Sequence, residues 1–216
     1  ECGVFGVYSN SPMDVAGMTY YGLYALQHRG QESAGIAVGN GEEVDIHKGL
    51  GLITEAFTKD DLNKLKGYIA IGHVRYSTTG STKVENAQPL LASSKLGPIA
   101  MAHNGNLVNA DVIRDLLEDG GHVFHTTIDS EVIATLIARG AKRGIERAVV
   151  DAIQAVRGSF AMVIATKDKL IGARDPHGIR PLCIGKVDDA YVMSSESCAL
   201  DAVGAEFVRD VEPGEV

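Results

Sequence analysis

The chain has 216 residues, of which 45% are hydrophobic and 22% charged, enough to bury a sizeable core in a globular domain. Its formal net charge of -8 argues against nucleic acid or an anionic membrane as the main partner, and no apolar run approaches the roughly 18 residues of a spanning helix. The three cysteines, with no C-x-x-C pair, fit the reducing cytoplasm better than a disulfide scaffold.

Apolar spacing predicts strands at both ends of the chain and helices between them. The predicted strands are residues 4–8, 34–38, 44–47, 68–74, 99–102, 159–166, 170–173, 182–185, 190–194 and 206–211. The predicted helices are residues 15–27, 110–117, 130–138 and 145–156. This order favours an α+β fold, in which antiparallel sheets carry helices on their outer faces. Without an internal repeat or linker, the sequence predicts one domain over residues 1–216.

Cys2 is a candidate nucleophile. A cysteine that begins a chain can use its own free α-amine as the base that activates its thiol. A free cysteine is more often a small buried hydrophobe. The run from Cys2 to Gly6 favours the nucleophile, because Gly3 leaves the thiol open to approach and the strand that follows holds it in place.

Two polar clusters follow predicted strands. Arg75 carries a planar fork that suits a carboxylate, although an arginine is more often a surface residue. Asn104 and Gly105 offer a side-chain amide and a backbone N–H that suit an oxyanion, although the pair is also typical of a plain turn.

Three further clusters have a simpler alternative. The loop around Arg29 and Gly30 is either solvated or part of a site. Asp129 either caps the helix that follows or holds the ammonium group of an amino acid. Residues 174–181 are interpreted first as a rigid turn between strands.

Taken in order, these clusters resemble the class II glutamine amidotransferases. The motifs are Cys2-Gly3-Val4-Phe5-Gly6, His28-Arg29-Gly30, residues 72–78, His103-Asn104-Gly105-Asn106-Leu107 and Asp129-Ser130-Glu131. More narrowly, the chain is similar to the glutaminase domains of the amidophosphoribosyltransferase family. That similarity rests on residues 26–31, Tyr76 after Arg75, Asn106-Leu107 and residues 174–181.

The resemblance implies a four-layer αββα sandwich of two mostly antiparallel sheets, of the N-terminal nucleophile hydrolase type. It also implies that Cys2 attacks the side-chain amide of L-glutamine and that Asn104 and the Gly105 backbone stabilise the oxyanion. A glutamyl thioester forms as ammonia leaves, and water then releases glutamate.

Substrate-binding roles follow from the same resemblance. Arg75, helped by Thr78, is expected to bind the α-carboxylate of glutamine, and Asp129 its α-ammonium group. Arg29 and Gly30 are expected to frame the nucleophile. No metal or cofactor is expected in this domain.

The resemblance further implies that the ammonia reaches phosphoribosyl pyrophosphate to make phosphoribosylamine, the first step of de novo purine synthesis. The phosphoribosyltransferase domain that performs this step is expected after Val216, beyond this sequence. Mg²⁺, and in some members an iron–sulfur cluster, is expected in the full-length enzyme, which is expected to be a cytoplasmic homo-oligomer without nucleic-acid or membrane partners.

Glu1 departs from the family pattern, in which the active cysteine is the first residue. Glu1 is expected to be the last residue of a propeptide or an engineered addition. While it acylates the nitrogen of Cys2, the chain is expected to be a poor glutaminase. Two alternatives stay open: a glutaminase domain of the glucosamine-6-phosphate synthase or asparagine synthetase type, and a glutamine-binding domain without catalysis.

Overall fold

The computed structural model describes residues 1–77 and 83–216. Its strands are β1 Gly3–Ser9, β2 Ser33–Gly39, β3 Val44–Leu50, β4 Ile69–Arg75, β5 Leu90–Ser94, β6 Gly97–Leu107, β7 Gly158–Ala165, β8 Leu170–Arg174, β9 Cys183–Val187, β10 Ala190–Ser194 and β11 Glu206–Asp210. Its α-helices are α1 Val15–Ala25, α2 Ile53–Ala56, α3 Lys59–Lys64, α4 Ala110–Asp119, α5 Ser130–Gly140, α6 Ile145–Ala155 and α7 Ser197–Ala202. Short 3₁₀ turns cover Gln27–Arg29, Val84–Asn86 and Ala141–Arg143.

The strands form two sheets. One has seven strands in the order β11-β9-β10-β1-β4-β2-β3, and the other has four in the order β5-β6-β7-β8. Neighbouring strands in both sheets run antiparallel. The predicted α+β fold with antiparallel sheets is therefore confirmed.

Three apolar clusters separate four layers. One cluster joins the facing sheets through side chains such as Val4, Ile71 and Val163, with several alanines that let the sheets approach. A second packs α1, α2 and α7 on the outside of the seven-stranded sheet, and a third packs α4, α5 and α6 on the outside of the four-stranded sheet. Successive residues of β1 pack into the first two clusters in turn, because Val4 faces the other sheet and Phe5 faces α1. The predicted αββα sandwich is confirmed.

The predicted strand over 99–102 is too short, because β6 extends to Leu107. Its polar residues stay in the strand, where His103 pairs with Met162 and Gly105 with Phe160 of β7. The interpretation of Asn104-Gly105 as a turn is therefore wrong. Backbone pairing along β7 holds this polar segment extended although it lacks an apolar pattern.

Other predicted helices and strands are confirmed to within a few residues, except that α1 ends at Ala25 and continues only as the turn Gln27–Arg29. Four elements were missing from the sequence prediction: β5, α2, α3 and α7. The three helices have four to six residues, which is too few for a helical period to emerge.

Gly22 sits where α1 crosses the ring of Phe5, and a Cβ there would lie 2.4 Å from two ring carbons. We expect Gly22→Ala to destabilise the fold by roughly 1–2 kcal/mol, because overpacking outweighs the gain of up to about 1 kcal/mol in helix propensity. Urea unfolding measures this. Tyr24→Ala is the control, because Tyr24 lies on the same helix and is 58% exposed. We expect it to change the free energy of unfolding little. Equal stabilities for Gly22→Ala and the unsubstituted chain would contradict the packing described for α1.

Candidate active site

Cys2 precedes β1 at the point where β1 meets the end of β4. Gly3 pairs with Val74, so Cys2 lies beside the last residue of β4 and the loop that follows. Its Sγ donates to the carbonyl of Tyr76 at 3.5 Å and accepts from the Tyr76 N–H at 3.4 Å. The half-buried thiol is therefore fixed by the residue that follows Arg75.

The environment of Cys2 opposes ionisation. Burial raises the pKa of the thiol above its ordinary value, and this effect outweighs the hydrogen bond from Tyr76 and the nearby guanidinium groups of Arg75 and Arg29. The thiol is therefore protonated near neutral pH and needs a base in order to act as a nucleophile. While Glu1 is attached, the nitrogen of Cys2 is an amide and cannot be that base.

Arg29 holds Cys2 from the other side. Its Nε donates to the Cys2 carbonyl at 2.8 Å, its Nη1 to Glu196 at 2.6 Å and its Nη2 to Glu1 at 2.8 Å. Glu196 also contacts His28 at 3.1 Å. The predicted framing role of Arg29 thus has a direct structural counterpart. Glu196 was missed by the sequence analysis, because only the fold brings its loop after β10 to the 3₁₀ turn after α1.

Gly30 lets the same loop pass the end of β4. A Cβ on Gly30 would lie 2.5 Å from the carbonyl carbon of Arg75 and 2.7 Å from its oxygen. Such contacts with rigid backbone leave no room for another residue. Gly30 therefore belongs to the frame around Cys2 through its small size.

Glu1 reaches across to the loop that follows β8. One of its carboxylate oxygens lies 2.5 Å from Arg180 Nη1, and the other contacts Arg29. Burial alone would raise the pKa of Glu1, but Arg180 and Arg29 lower it below its usual value. The turn pattern of residues 174–181 predicts a structural role only and does not indicate the contact between Arg180 and Glu1.

The structural role of that loop is also clear. The Asp175 carboxylate accepts backbone N–H groups from Phe160, His177, Ile179 and Arg180, and these bonds lower its pKa although burial alone would raise it. The loop is therefore a rigid support, and it holds Arg180 with its Nε 3.2 Å from Ser159 Oγ.

Arg75 is only 3% exposed, so its interpretation as a surface arginine is wrong. Its Nη1 lies 3.6 Å from a carboxylate oxygen of Glu32, whose other oxygen accepts the Ser77 hydroxyl at 2.7 Å. The buried fork next to Cys2 suits a carboxylate ligand. Thr78, its predicted helper, lies outside the described residues.

Asn104 carries a buried donor. Its side chain is 1% exposed, and its Nδ2 finds no hydrogen-bond partner among the described residues. A buried donor left unpaired costs about 1–3 kcal/mol, which is recovered when a ligand brings an acceptor. Asn104 is therefore equipped to receive an oxygen atom.

Gly105 adds a second donor. The opposite residue, Phe160, directs both its N–H and its carbonyl towards Asp175, so Gly105 and Phe160 form a non-hydrogen-bonded pair. The N–H of Gly105 therefore points away from β7, towards the edge of β6. Since β5 accompanies β6 only as far as Met101, this stretch of the edge is not covered by β5.

Asp129 links β6 to the start of α5. Its Oδ2 accepts the Leu107 N–H at 2.8 Å, and its Oδ1 lies 4.0 Å from His103 Nδ1. Its side chain makes no capping bond to α5, so the helix-cap interpretation is wrong. A half-buried carboxylate at this position remains open to a cation.

One hydrogen bond joins the two halves of the site across the sheets. His73, two residues before Arg75, donates from Nε2 to the carbonyl of His103, directly before Asn104, at 3.0 Å. Burial lowers the pKa of His73 to about 3 and also lowers that of His103, so both rings are neutral. The fold therefore brings the ends of β1 and β4, with Cys2, Arg75 and the loop of Arg29 and Gly30, towards Asn104 and Gly105 of β6. Asp129 joins them from the start of α5.

Residues 1–77 and 83–216 contain no group of three or more His, Cys, Asp or Glu side chains that could hold a metal ion. Over the same residues, none of the helices is both long and apolar enough to cross a membrane.

Comparison with known proteins gives consistent matches. A family model described as a glutamine amidotransferase domain matches residues 73–202. Over its whole length, the chain is 49% identical to the amidophosphoribosyltransferases of Methanocaldococcus jannaschii and Bacillus subtilis, and it spans 46% and 45% of those proteins. A solved structure of glutamine phosphoribosylpyrophosphate amidotransferase from Bacillus subtilis, complexed with ADP and GMP, matches with a TM-score of 0.91 and 48% identity, over 98% of this chain and 46% of that one. The chain thus spans less than half the length of these relatives.

The raised pKa of Cys2 has a measurable consequence. Because the thiolate is the form that reacts with iodoacetamide, we expect alkylation of Cys2 in the Glu1-bearing chain to reach half its maximal rate at a higher pH than in the free peptide Glu-Cys-Gly-Val. Peptide mapping by mass spectrometry separates Cys2 from Cys183 and Cys198. A midpoint below that of the free peptide would mean that the cations, not burial, dominate at the thiol.

Proposed function

This chain belongs to the glutamine amidotransferase domain family, and on that premise we propose that it hydrolyses the side-chain amide of glutamine with Cys2 as the nucleophile. The observation that carries the proposal is the buried Nδ2 of Asn104, which has no hydrogen-bond partner in residues 1–77 and 83–216 and lies directly before the outward N–H of Gly105. Such a pair of donors is suited to the negative oxygen that forms when a thiolate adds to an amide. The products are glutamate and ammonia.

The two side chains that bind the backbone groups of glutamine carry opposite charges. Arg75 binds the α-carboxylate through its fork, and Asp129 binds the α-ammonium group through the oxygen that Leu107 does not use. Thr78 assists Arg75. These contacts leave the side-chain amide of glutamine directed at Cys2, and holding it there supplies much of the rate enhancement.

The first half of the reaction forms a thioester. The free α-amine of Cys2 takes the thiol proton, and the sulfur adds to the amide carbon of glutamine. Asn104 and Gly105 stabilise the oxyanion until the carbon–nitrogen bond breaks and the nitrogen leaves as ammonia with the transferred proton. Water then adds to the thioester carbon, and the carbon–sulfur bond breaks to give glutamate and the free thiol.

Glu1 prevents this sequence in two ways. It converts the base into an amide, and its carboxylate is held beside the nucleophile by Arg29 and Arg180. The form that carries Glu1 is therefore a poor glutaminase.

The relatives suggest the wider reaction. In a longer protein like them, residues 1–216 form the glutaminase domain, and the ammonia passes to phosphoribosyl pyrophosphate in a second domain to make phosphoribosylamine for purine synthesis. In that longer protein, Mg²⁺ and, if present, an iron–sulfur cluster belong to the part beyond residues 1–216. Three free cysteines fit the cytoplasm as the setting. The working form of the longer protein is proposed to be a homo-oligomer.

The direct test compares the chain with and without Glu1. We expect glutamate release to rise roughly 100-fold or more once Cys2 is the first residue, the usual contribution of a general base, and to vanish in a Cys2→Ser control. Intact mass establishes which form is assayed. Full turnover by the Glu1-bearing chain would contradict the role of the free amine. Glutamine binding without turnover in both forms would favour the non-catalytic alternative.

Two substitutions in the form that begins with Cys2 separate binding from chemistry. Asn104→Ala should lower kcat by about 100- to 1,000-fold, as loss of an oxyanion donor does elsewhere. Arg75→Lys should mainly raise KM for glutamine, because a lysine cannot replace the two-pronged contact with a carboxylate. Steady-state kinetics with glutamine measure both. The assignment of roles would be wrong if the two variants showed the opposite pattern.

A further inference from the structure

His103 stands directly before the two oxyanion donors, and its backbone is held by side chains on both of its polar groups. Its N–H donates to Gln88 Oε1 at 2.8 Å, and its carbonyl accepts from His73 Nε2 at 3.0 Å. All three side chains are at least nine-tenths buried. The backbone that leads into Asn104 is therefore fixed by contacts that β5, which ends its pairing at Met101, does not provide.

The ring of His103 is fixed by a closed cycle of hydrogen bonds. Gln88 uses its oxygen for the His103 N–H, so its Nε2 donates to Ser130 Oγ at 3.2 Å. Ser130 Oγ lies 2.8 Å from His103 Nδ1. A hydroxyl has one proton and two lone pairs, so Ser130 can accept from Gln88 and still bond to Nδ1 of the neutral ring.

The other edge of the His103 ring lies close to Gly105. A Cβ on Gly105 would lie 2.8 Å from His103 Nε2 and 2.0 Å from the carbonyl oxygen of Ser159 on β7. The peptide group that carries the second oxyanion donor is thus held between an imidazole and a strand. His103 Nε2 itself has no hydrogen-bond partner among the described residues.

We propose that His103 is a positioning residue for the oxyanion site, acting through the backbone of Asn104 and Gly105, and that Ser130 and Gln88 hold its ring in place. This inference rests on the proposed glutaminase function. Donors of this kind work only when they point at the place where the charge will develop. A displacement of about 1 Å can cost on the order of 100-fold in rate, so support of the backbone matters as much as the donors themselves.

Ser130→Ala tests the proposal, because it removes the bond to the ring and leaves the nucleophile, Arg75 and both oxyanion donors in the chain. In the form that begins with Cys2, we expect kcat to fall roughly 10- to 100-fold. KM for glutamine and the rate of Cys2 alkylation by iodoacetamide should change little. Ser130→Thr, which keeps the hydroxyl, should recover most of kcat.

Thr135→Val is the matched control. Thr135 is buried on the same helix, and its hydroxyl bonds to the ring of another histidine, His122, at 3.1 Å, but it has no part in the cycle around His103. We expect kcat close to that of the unsubstituted chain. His103→Phe gives a second test that keeps a ring and removes its hydrogen bonds, and it should lower kcat at least as much as Ser130→Ala.

Three results would overturn the inference. The first is an equal kcat for Ser130→Ala and Thr135→Val. The second is a rise in KM alone for Ser130→Ala, which would assign the effect to its neighbour Asp129. The third is a slowing of Cys2 alkylation in Ser130→Ala in parallel with kcat, which would indicate general distortion. If the form that begins with Cys2 is inactive without any substitution, the proposed glutaminase function is refuted, and this inference falls with it.

Discussion

The site depends on β4, an interior strand of the seven-stranded sheet that lies between β1 and β2. On one side of β4, strand β1 places Cys2 beside the last residues of β4. On the other side, Ser33 of β2 pairs with Arg75. Antiparallel pairing on both edges fixes the register of β4, so Arg75 cannot move relative to Cys2 without breaking both ladders. The loop after β4 then closes on the thiol through the backbone of Tyr76.

The four-stranded sheet contacts β4 through a buried polar contact within an otherwise apolar interface. Alanines between the sheets allow them to approach, and the bond from His73 to the carbonyl of His103 sets where β6 lies relative to β4. A buried polar group is costly unless it is paired, so this bond also disfavours other registers between the sheets. Cys2 and the Asn104-Gly105 pair thereby belong to different sheets but share one rigid frame.

Charge around Cys2 is balanced rather than simply positive. Arg75 and Arg29 would favour a thiolate, yet Arg29 is paired with Glu196 and Glu1, Glu32 lies near Arg75, and burial disfavours ionisation. Under the proposed mechanism, the ionisation of the thiol therefore depends on a base at Cys2 itself. That proposal makes the residue in front of Cys2 matter more than the surrounding cations.

The sequence predicts the long elements well because their apolar residues repeat with a clear period, as in β1 and α5. It misses the full length of β6, because His103 to Asn106 are polar and owe their extended form to pairing with β7. The roles predicted for Cys2, Arg75, Asn104 and Asp129 stay predictions, and Thr78 lies outside the described residues. Glu196 and Arg180 were not predicted, since each reaches the site from a distant loop and neither lies in a motif with a catalytic spacing.

The most direct measurement is a crystal structure of the form that begins with Cys2, after reaction with a diazoketone analogue of glutamine. The account predicts a covalent bond to Cys2 Sγ, a ketone oxygen within about 3.2 Å of both Asn104 Nδ2 and the Gly105 nitrogen, and the carboxylate of the analogue on Arg75. An adduct whose oxygen faces solvent, with Asn104 Nδ2 still unpaired, would contradict it.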